Sequence, residues 1–151
     1  EYIAPHCKKY EDYDRVMDAG ASSKNIYFIR YADLILLYAE CLLAENDLAG
    51  AKQQVIRVRN RAKVSTPITA SNNTEMLDFI YEERMRELGM EGWRRMDLIR
   101  RGADYFAAQV DKYNPFAKGN VQPYHAFYPI PTNEINMNDG IGAEDQNEGY
   151  K

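Results

Sequence analysis

The first strong pattern of apolar positions predicts an α-helix over residues 27–45. Apolar side chains recur there every three or four residues, which is the spacing of one helix face. The predicted face consists of Phe28, Tyr31, Ile35, Tyr38, Leu42 and Glu45. Leu34, Leu37 and Ala39 widen the apolar surface beyond it. A helix that is apolar around most of its circumference is typical of a core helix with several packing neighbours.

A second helix is predicted over residues 48–63, because small and branched apolar residues again step by three and four. Its narrow stripe consists of Leu48, Ala51, Val55, Val58 and Ala62. Asn46 and Asp47 interrupt the pattern between the two helices, and Asp47 is a suitable N-cap. So short a connection predicts an antiparallel helical hairpin, spanning residues 26–64.

A polar loop follows at residues 65–74, and a third helix is predicted over residues 75–90 with Asn73 or Thr74 as its cap. Its apolar face would consist of Leu77, Ile80, Tyr81 and Leu88. Gly89 and Gly92 predict a break, after which a fourth helix is expected from Trp93 to Arg101. That helix would turn inward Trp93, Met96, Leu98 and Ile99, and a short helix would follow at 104–110.

The two ends of the chain lack a clear helical period. Residues 1–25 are interpreted as an extended or loop-like lead-in, and residues 111–151 as an irregular arm rich in proline. Within this arm, residues 126–131 are expected to form an edge strand or an extended segment. The predicted fold is therefore one all-α domain over residues 1–151, with the signature helices at 75–110 between the hairpin and the arm.

Composition narrows the class of protein. The net charge is −4, with 19 basic and 23 acidic residues, so there is no basic footprint for nucleic acid. The longest strongly apolar run, residues 34–39, is far shorter than the roughly 20 residues that span a bilayer. Cys41 is expected to be a buried thiol, and the spacing leaves open whether Cys7 pairs with it. His6 and His125 are the only histidines, so neither a metal site nor a cofactor is expected.

Carboxylates and arginines alternate in the third and fourth helices. A glycosidase would need two carboxyl groups, one of them kept protonated, and Glu83 and Glu91 are the candidates for this alternative function. Neighbouring arginines favour the ionised form of a carboxyl group, so structural ion pairs are the favoured interpretation. The candidates for such pairs are Arg30, Glu40, Arg59, Glu83, Arg84, Glu87, Glu91, Arg94 and Asp97, with Asp33, Arg57 and Arg61 as further partners.

The chain contains 12 tyrosines, and aromatic faces suit the apolar faces of sugar rings. Tyr113, Tyr124 and His125 lie in or next to the irregular arm, where binding residues are often displayed. They are the candidate ligand-binding residues. The favoured interpretation is nevertheless that they pack the arm onto the helices, since buried aromatic side chains dominate core energetics.

Three stretches, in this order and spacing, resemble the SusD/RagB family. The first is Ile29–Glu40, with Val58–Ala62 on the next helix. The second runs from Glu83 to Leu88 and on from Glu91 to Arg100. The third is Tyr128–Ile135, followed by Gln146–Tyr150, in which Glu148 stands where a proline is common. The resemblance covers residues 29–150 and corresponds to the C-terminal portion of the longer family members.

The resemblance implies tetratricopeptide-like helical hairpins in a lipoprotein of the outer membrane, exposed at the cell surface and anchored through an N-terminal segment absent from this chain. It implies non-catalytic binding of an oligosaccharide, for polysaccharide utilisation, and delivery to a SusC-like TonB-dependent transporter. The family's glycan-binding aromatic residues lie mainly upstream of this stretch. The chain would therefore supply scaffold and transporter contact. A tetratricopeptide-type module that binds a protein or peptide is the alternative.

Overall fold

The computed structural model describes residues 8–12, 22 and 24–151, and it divides the chain into two compact units, Glu1–Trp93 and Arg94–Lys151. Most of the predicted lead-in lies outside the described residues, as do Cys7 and His6. The described residues form helices joined by loops and turns and contain no strand, so the predicted all-α fold is confirmed.

Three α-helices build the first unit: α1 (Tyr31–Ala44), α2 (Leu48–Arg61) and α3 (Asn73–Glu87). The predicted hairpin of α1 and α2 is confirmed, although α1 begins four residues later than expected. Asn46 adopts the left-handed conformation (φ 63°), which asparagine tolerates at the end of a helix. Asp47 then caps α2, its Oδ1 accepting a hydrogen bond from the backbone N–H of Gly50 at 2.8 Å.

The cap of α3 is Asn72, so the prediction of Asn73 or Thr74 was wrong. Asn72 has an extended backbone, and its Oδ1 accepts a hydrogen bond from the N–H of Glu75 at 2.9 Å. The amide of Asn73 instead donates to the backbone carbonyl of Leu43 at 3.3 Å, which ties the start of α3 to the end of α1.

The core of the first unit lies where α1 and α2 pack against α3. Its fully buried apolar side chains are Leu36, Ala39, Ala51, Val55, Met76 and Ile80. The face predicted for α1 was largely wrong, because Tyr31 and Tyr38 are 67% and 54% exposed. α1 is apolar on two sides, and α2 and α3 cover the side that carries Leu36, Ala39 and Leu43.

Two further predictions of burial were wrong. Cys41 is exposed, since it lies on the side of α1 that α2 and α3 leave uncovered. Met96 is 56% exposed, whereas Leu98 on the same helix is buried as expected.

The second unit contains α4 (Arg94–Arg100), α5 (Ala103–Tyr113) and α6 (Thr132–Met137), together with 3-10 helices at Pro123–Ala126 and Ala143–Asp145. Its small core is formed by Leu98, Phe106 and Ala126. Residues 126–131 were predicted as an edge strand or an extended segment. No strand forms: Ala126 ends a 3-10 helix, and the backbone that follows, extended at Phe127, has no regular structure.

Replacing Asn72 with alanine is expected to lower the free energy of unfolding by about 1 kcal/mol, because the variant loses the N-cap of α3. Urea denaturation followed by circular dichroism measures the change. Thr74→Ala is the matched control and is expected to change stability by less than about 0.5 kcal/mol, since an exposed side chain within the first turn is removed. Equal losses in the two variants would contradict the assignment of the cap.

Candidate functional site

The C-terminal end of α3 is held by two cations from distant parts of the first unit. Lys9 Nζ donates to the carbonyl oxygens of Glu87 and Gly89, at 3.0 and 2.9 Å. Arg30 Nη2 donates to the Glu87 carbonyl at 2.8 Å. Positive charge is favourable at this end of a helix, where the last carbonyl groups lack partners within the helix.

The same two cations hold a buried carboxylate. The side chain of Glu91 is 2% exposed, and Arg30 Nε lies 2.9 and 3.0 Å from its two oxygens. Lys9 Nζ lies 2.6 Å from Oε1. Arg30 also reaches Glu87 at 2.8 Å, and Arg61 at the end of α2 pairs with Glu87 at 2.7 Å. We call Lys9, Arg30, Arg61, Glu87 and Glu91 the helix-end cluster.

Charge pairing in the helix-end cluster shifts two pKa values. Burial raises the pKa of Glu91, but the hydrogen bonds and charges of Arg30 and Lys9 outweigh it, so the pKa lies below its ordinary value of 4.5. The hydrogen bond to Glu91 is the largest influence on the pKa of the Arg30 guanidinium and raises it above its ordinary value. Both groups are therefore charged at neutral pH.

Three more ion pairs join the helices of the first unit. Arg84 on α3 is 2% exposed, and its Nη1 lies 2.7 Å from Asp33 Oδ1 on α1. Arg59 on α2 lies 3.0 Å from Glu83 on α3, and Arg86 approaches the same carboxylate at 3.2 Å. Glu40 lies 3.9 Å from Arg84. Since these pairs join α1 to α3 and α2 to α3, their geometry fixes how the three helices are packed.

Arg57 on α2 donates hydrogen bonds to Gln54 and Tyr31. Two further candidate ion-pair residues lie in the second unit. Asp97 is buried on α4 and pairs with Arg100, one turn further along, at 3.1 Å. Arg94 is the half-buried first residue of the same helix.

An open cleft of about 690 Å³ lies in the second unit. Its wall combines aromatic and amide side chains with one carboxylate and backbone. The lining residues are Ala103, Gln122, Pro123, Tyr124, Phe127, Asn147, Glu148 and Gly149. We call this feature the aromatic cleft, and its size falls within the range of small-molecule sites.

Hydrogen bonds to backbone bring the two sides of the aromatic cleft together. Gln146 both accepts from the N–H of Ile130 at 2.7 Å and donates to its carbonyl at 3.0 Å, as a neighbouring strand would. Asn147 Nδ2 donates to the Tyr128 carbonyl at 2.7 Å, and the Tyr150 hydroxyl donates to the Phe127 carbonyl at 3.0 Å. The segment 146–150 is thereby fastened along residues 127–130.

Tyr124 is the aromatic residue at the centre of this arrangement. Its ring lies edge-to-face with Tyr150 at 5.1 Å and contacts His125 at 4.1 Å between centroids. A Cβ atom at position 149 would overlap the Tyr124 ring, and the positive φ of Gly149 (86°) also favours glycine. The close approach of backbone and ring therefore requires glycine here.

The structure brings together two of the three predicted ligand-binding residues. Tyr124 lines the aromatic cleft, and His125 contacts its ring while accepting a hydrogen bond from the N–H of Gln122 at 2.9 Å. Tyr113 lies at the end of α5 and is not among the lining residues. Phe127 and Asn147 also line the cleft but were not predicted. The available signal was the concentration of amide and aromatic residues in and around the stretches Tyr128–Ile135 and Gln146–Tyr150.

No group of three His, Cys, Asp or Glu side chains in the described part of the chain is placed to hold a metal ion. Within the same residues, no helix has the length and apolar character needed to cross a membrane.

Replacing Glu91 with glutamine is expected to flatten the dependence of stability on pH. Because the folded-state pKa of Glu91 is depressed, its contribution is complete above the unfolded-state pKa and is lost as the pH falls through the folded-state pKa. The variant should be less stable than the original chain at pH 7, and the difference should shrink as the pH falls below 4.5. Thermal unfolding of both proteins between about pH 3 and about pH 7 measures this difference.

Glu45→Gln is the matched control, because it removes an exposed carboxylate at the end of α1. Its unfolding temperature should follow that of the original chain at every pH. A constant difference between Glu91→Gln and the original chain at all pH values would show that the pairing of Glu91 with Arg30 and Lys9 does not stabilise the fold.

Comparison with known proteins gives two extensive matches. SusD-like protein P25 of Formosa agariphila is 34% identical over 134 residues, which cover 85% of this chain and 25% of that protein. The starch-binding protein SusD of Bacteroides thetaiotaomicron is 32% identical over 142 residues, covering 90% of this chain and 23% of that protein. The chain thus spans about a quarter of the length of these curated relatives. No solved structure gives a significant match.

The family model described as the SusD family matches residues 1–150. This match includes all three stretches whose resemblance to the family is visible in the sequence, and it extends over both units of the structure. The tetratricopeptide-like helical architecture expected from that resemblance agrees with the hairpin of α1 and α2. The chain therefore belongs to the SusD family.

Proposed function

We propose that this chain is part of a nutrient-binding protein of the cell surface, which binds oligosaccharides without cleaving them. The observation that carries the proposal is the aromatic cleft, in which Tyr124 and Phe127 lie beside Gln122 and Asn147. Membership of the SusD family and the similarity to a starch-binding relative support the same function.

The lining of the aromatic cleft suits the surface of a sugar. The C–H faces of a pyranose ring are apolar and stack on aromatic side chains such as Phe127, which is 60% exposed. The equatorial hydroxyl groups need donors and acceptors, and the amides of Gln122 and Asn147 provide both. We assign this cleft the role of a secondary sugar subsite, in addition to a principal site in the part of the protein that this chain does not span.

Binding without hydrolysis is supported by the state of the carboxylates. Glu83 and Glu91 are both buried and paired with arginine, at 3.0 and 2.7 Å. A general acid must keep its proton near neutral pH, whereas a neighbouring guanidinium favours the ionised form. The lowered pKa of Glu91 is the opposite of what the general acid of a glycoside hydrolase requires, and Glu83 is held in a buried ion pair with Arg59.

The proposal extends to the cellular setting of the family. We infer that the complete protein is a lipoprotein at the outer membrane, held by an N-terminal lipid, and that it delivers oligosaccharide to a SusC-like TonB-dependent transporter. Family membership supports this extension.

Phe127→Ala is expected to weaken oligosaccharide binding by about tenfold or more, which corresponds to ~1.4 kcal/mol of lost stacking. A glycan array first identifies a binding oligosaccharide, and isothermal titration calorimetry then compares its affinity for the original chain and the variant. The substitution preserves the hydrogen bond from Tyr150, because that bond is accepted by the backbone carbonyl of Phe127 and not by its side chain.

Phe116→Ala is the matched control, since this phenylalanine is 95% exposed and does not line the cleft. It should bind the oligosaccharide as the original chain does. Equal affinities of Phe127→Ala and Phe116→Ala would place sugar binding elsewhere. If the chain binds a peptide array and gives no signal on the glycan array, the tetratricopeptide-type interaction module is favoured instead. The exposed apolar side of α1 would then be a suitable surface for the peptide.

The full-length protein is expected to elute with its TonB-dependent transporter as one complex in size-exclusion chromatography. A TonB-dependent transporter of the same organism that takes up an unrelated nutrient serves as the control and should elute separately. Separate elution from every TonB-dependent transporter of that organism would contradict the proposed delivery step.

A further inference from the structure

The closing part of the chain has an uneven distribution of charge. Between residues 119 and 150 there is no lysine or arginine, whereas five carboxylates occur. They are Glu134, Asp139, Glu144, Asp145 and Glu148. Both segments that supply most of the aromatic cleft, residues 122–127 and 147–149, belong to this stretch.

One of these carboxylates lines the aromatic cleft itself. Glu148 lies between Asn147 and Gly149, both of which are also lining residues. None of the described residues that line the cleft carries a positive charge. Arg95 reaches the same segment through the carbonyl groups of His125 and Ala126, but it lies against the rings of Phe106 and Tyr128 and is not a lining residue.

The hydrogen bonds of the neighbouring residues keep Glu148 at the cleft. Asn147 is bound to the Tyr128 carbonyl, and Tyr150 to the Phe127 carbonyl. Gly149 is fixed against the ring of Tyr124. With both flanking positions fastened to the opposite wall, the backbone at position 148 has little freedom to carry its carboxylate away from a bound ligand.

We propose that Glu148 determines specificity by the charge of the ligand: the aromatic cleft binds uncharged or amine-bearing sugars more tightly than sugars that carry carboxylate or sulfate groups. This inference rests on the proposed function of the cleft. An acidic sugar in the cleft would meet the Glu148 carboxylate, with no cation among the lining residues to compensate it. An amino group on the sugar would instead gain an ion pair.

The test is an array of neutral oligosaccharides, each printed beside a counterpart of the same linkage that carries carboxylate or sulfate. The original chain should bind each neutral member more tightly than its acidic counterpart. Glu148→Gln should raise the affinity for the acidic counterpart, relative to the neutral one, by about two- to fivefold, the range expected for one exposed charge interaction. The effect should be larger at low salt, where screening is weaker.

Glu144→Gln removes one charge from the same segment but lies outside the cleft, so it should leave both affinities unchanged. The proposed specificity is overturned if the original chain binds neutral and acidic members equally well and Glu148→Gln has no effect. Oligosaccharide binding itself would then still stand. If the folded chain binds no member of the array, the proposed function of the cleft fails and the specificity fails with it.

Discussion

The packing of the first unit depends on the pairing of buried carboxylates with cations from other segments. The side chain of Glu91 is almost completely buried, and the carbonyl groups of Glu87, at the end of α3, and of Gly89, in the turn that follows, need hydrogen-bond donors. Arg30 and Lys9 satisfy all of these groups. Leaving a buried charge unpaired costs about 3–5 kcal/mol, a large part of the stability of a domain. The helices are therefore restricted to the arrangement in which these pairs form.

The paired charges of the first unit and the aromatic cleft of the second have separate roles in this chain. Arginines and carboxylates join α1, α2 and α3 into a scaffold, and being paired they have little capacity left for a ligand. The aromatic cleft in the second unit is built differently, with its two walls fastened by hydrogen bonds from Gln146, Asn147 and Tyr150 to backbone. Because these bonds go to main-chain groups, the side chains of Phe127 and Glu148 remain available at the surface.

Several elements were predictable because their causes are local. The hairpin follows from the apolar periods on either side of Asp47, whose carboxylate caps α2. The break after α3 follows from Gly89 and Gly92. The N-cap of α3 was predicted too late in the chain, because Asn72 and Asn73 have the same side chain and the sequence does not distinguish them. Only the extended backbone of Asn72 lets its side chain reach the N–H of Glu75.

The sequence by itself determined the helical class, the hairpin and the family, because period, cap and motif are properties of neighbouring residues. Tertiary structure alone decided which side of α1 is buried: the helix is apolar on two sides, and only the positions of α2 and α3 select Leu36 and leave Tyr38 exposed. It also decided the aromatic cleft. Tyr124 and Gly149 meet there because the side chains of Gln146, Asn147 and Tyr150 donate hydrogen bonds to backbone carbonyl groups. Since every residue offers such a carbonyl, the sequence does not show which segment accepts these bonds.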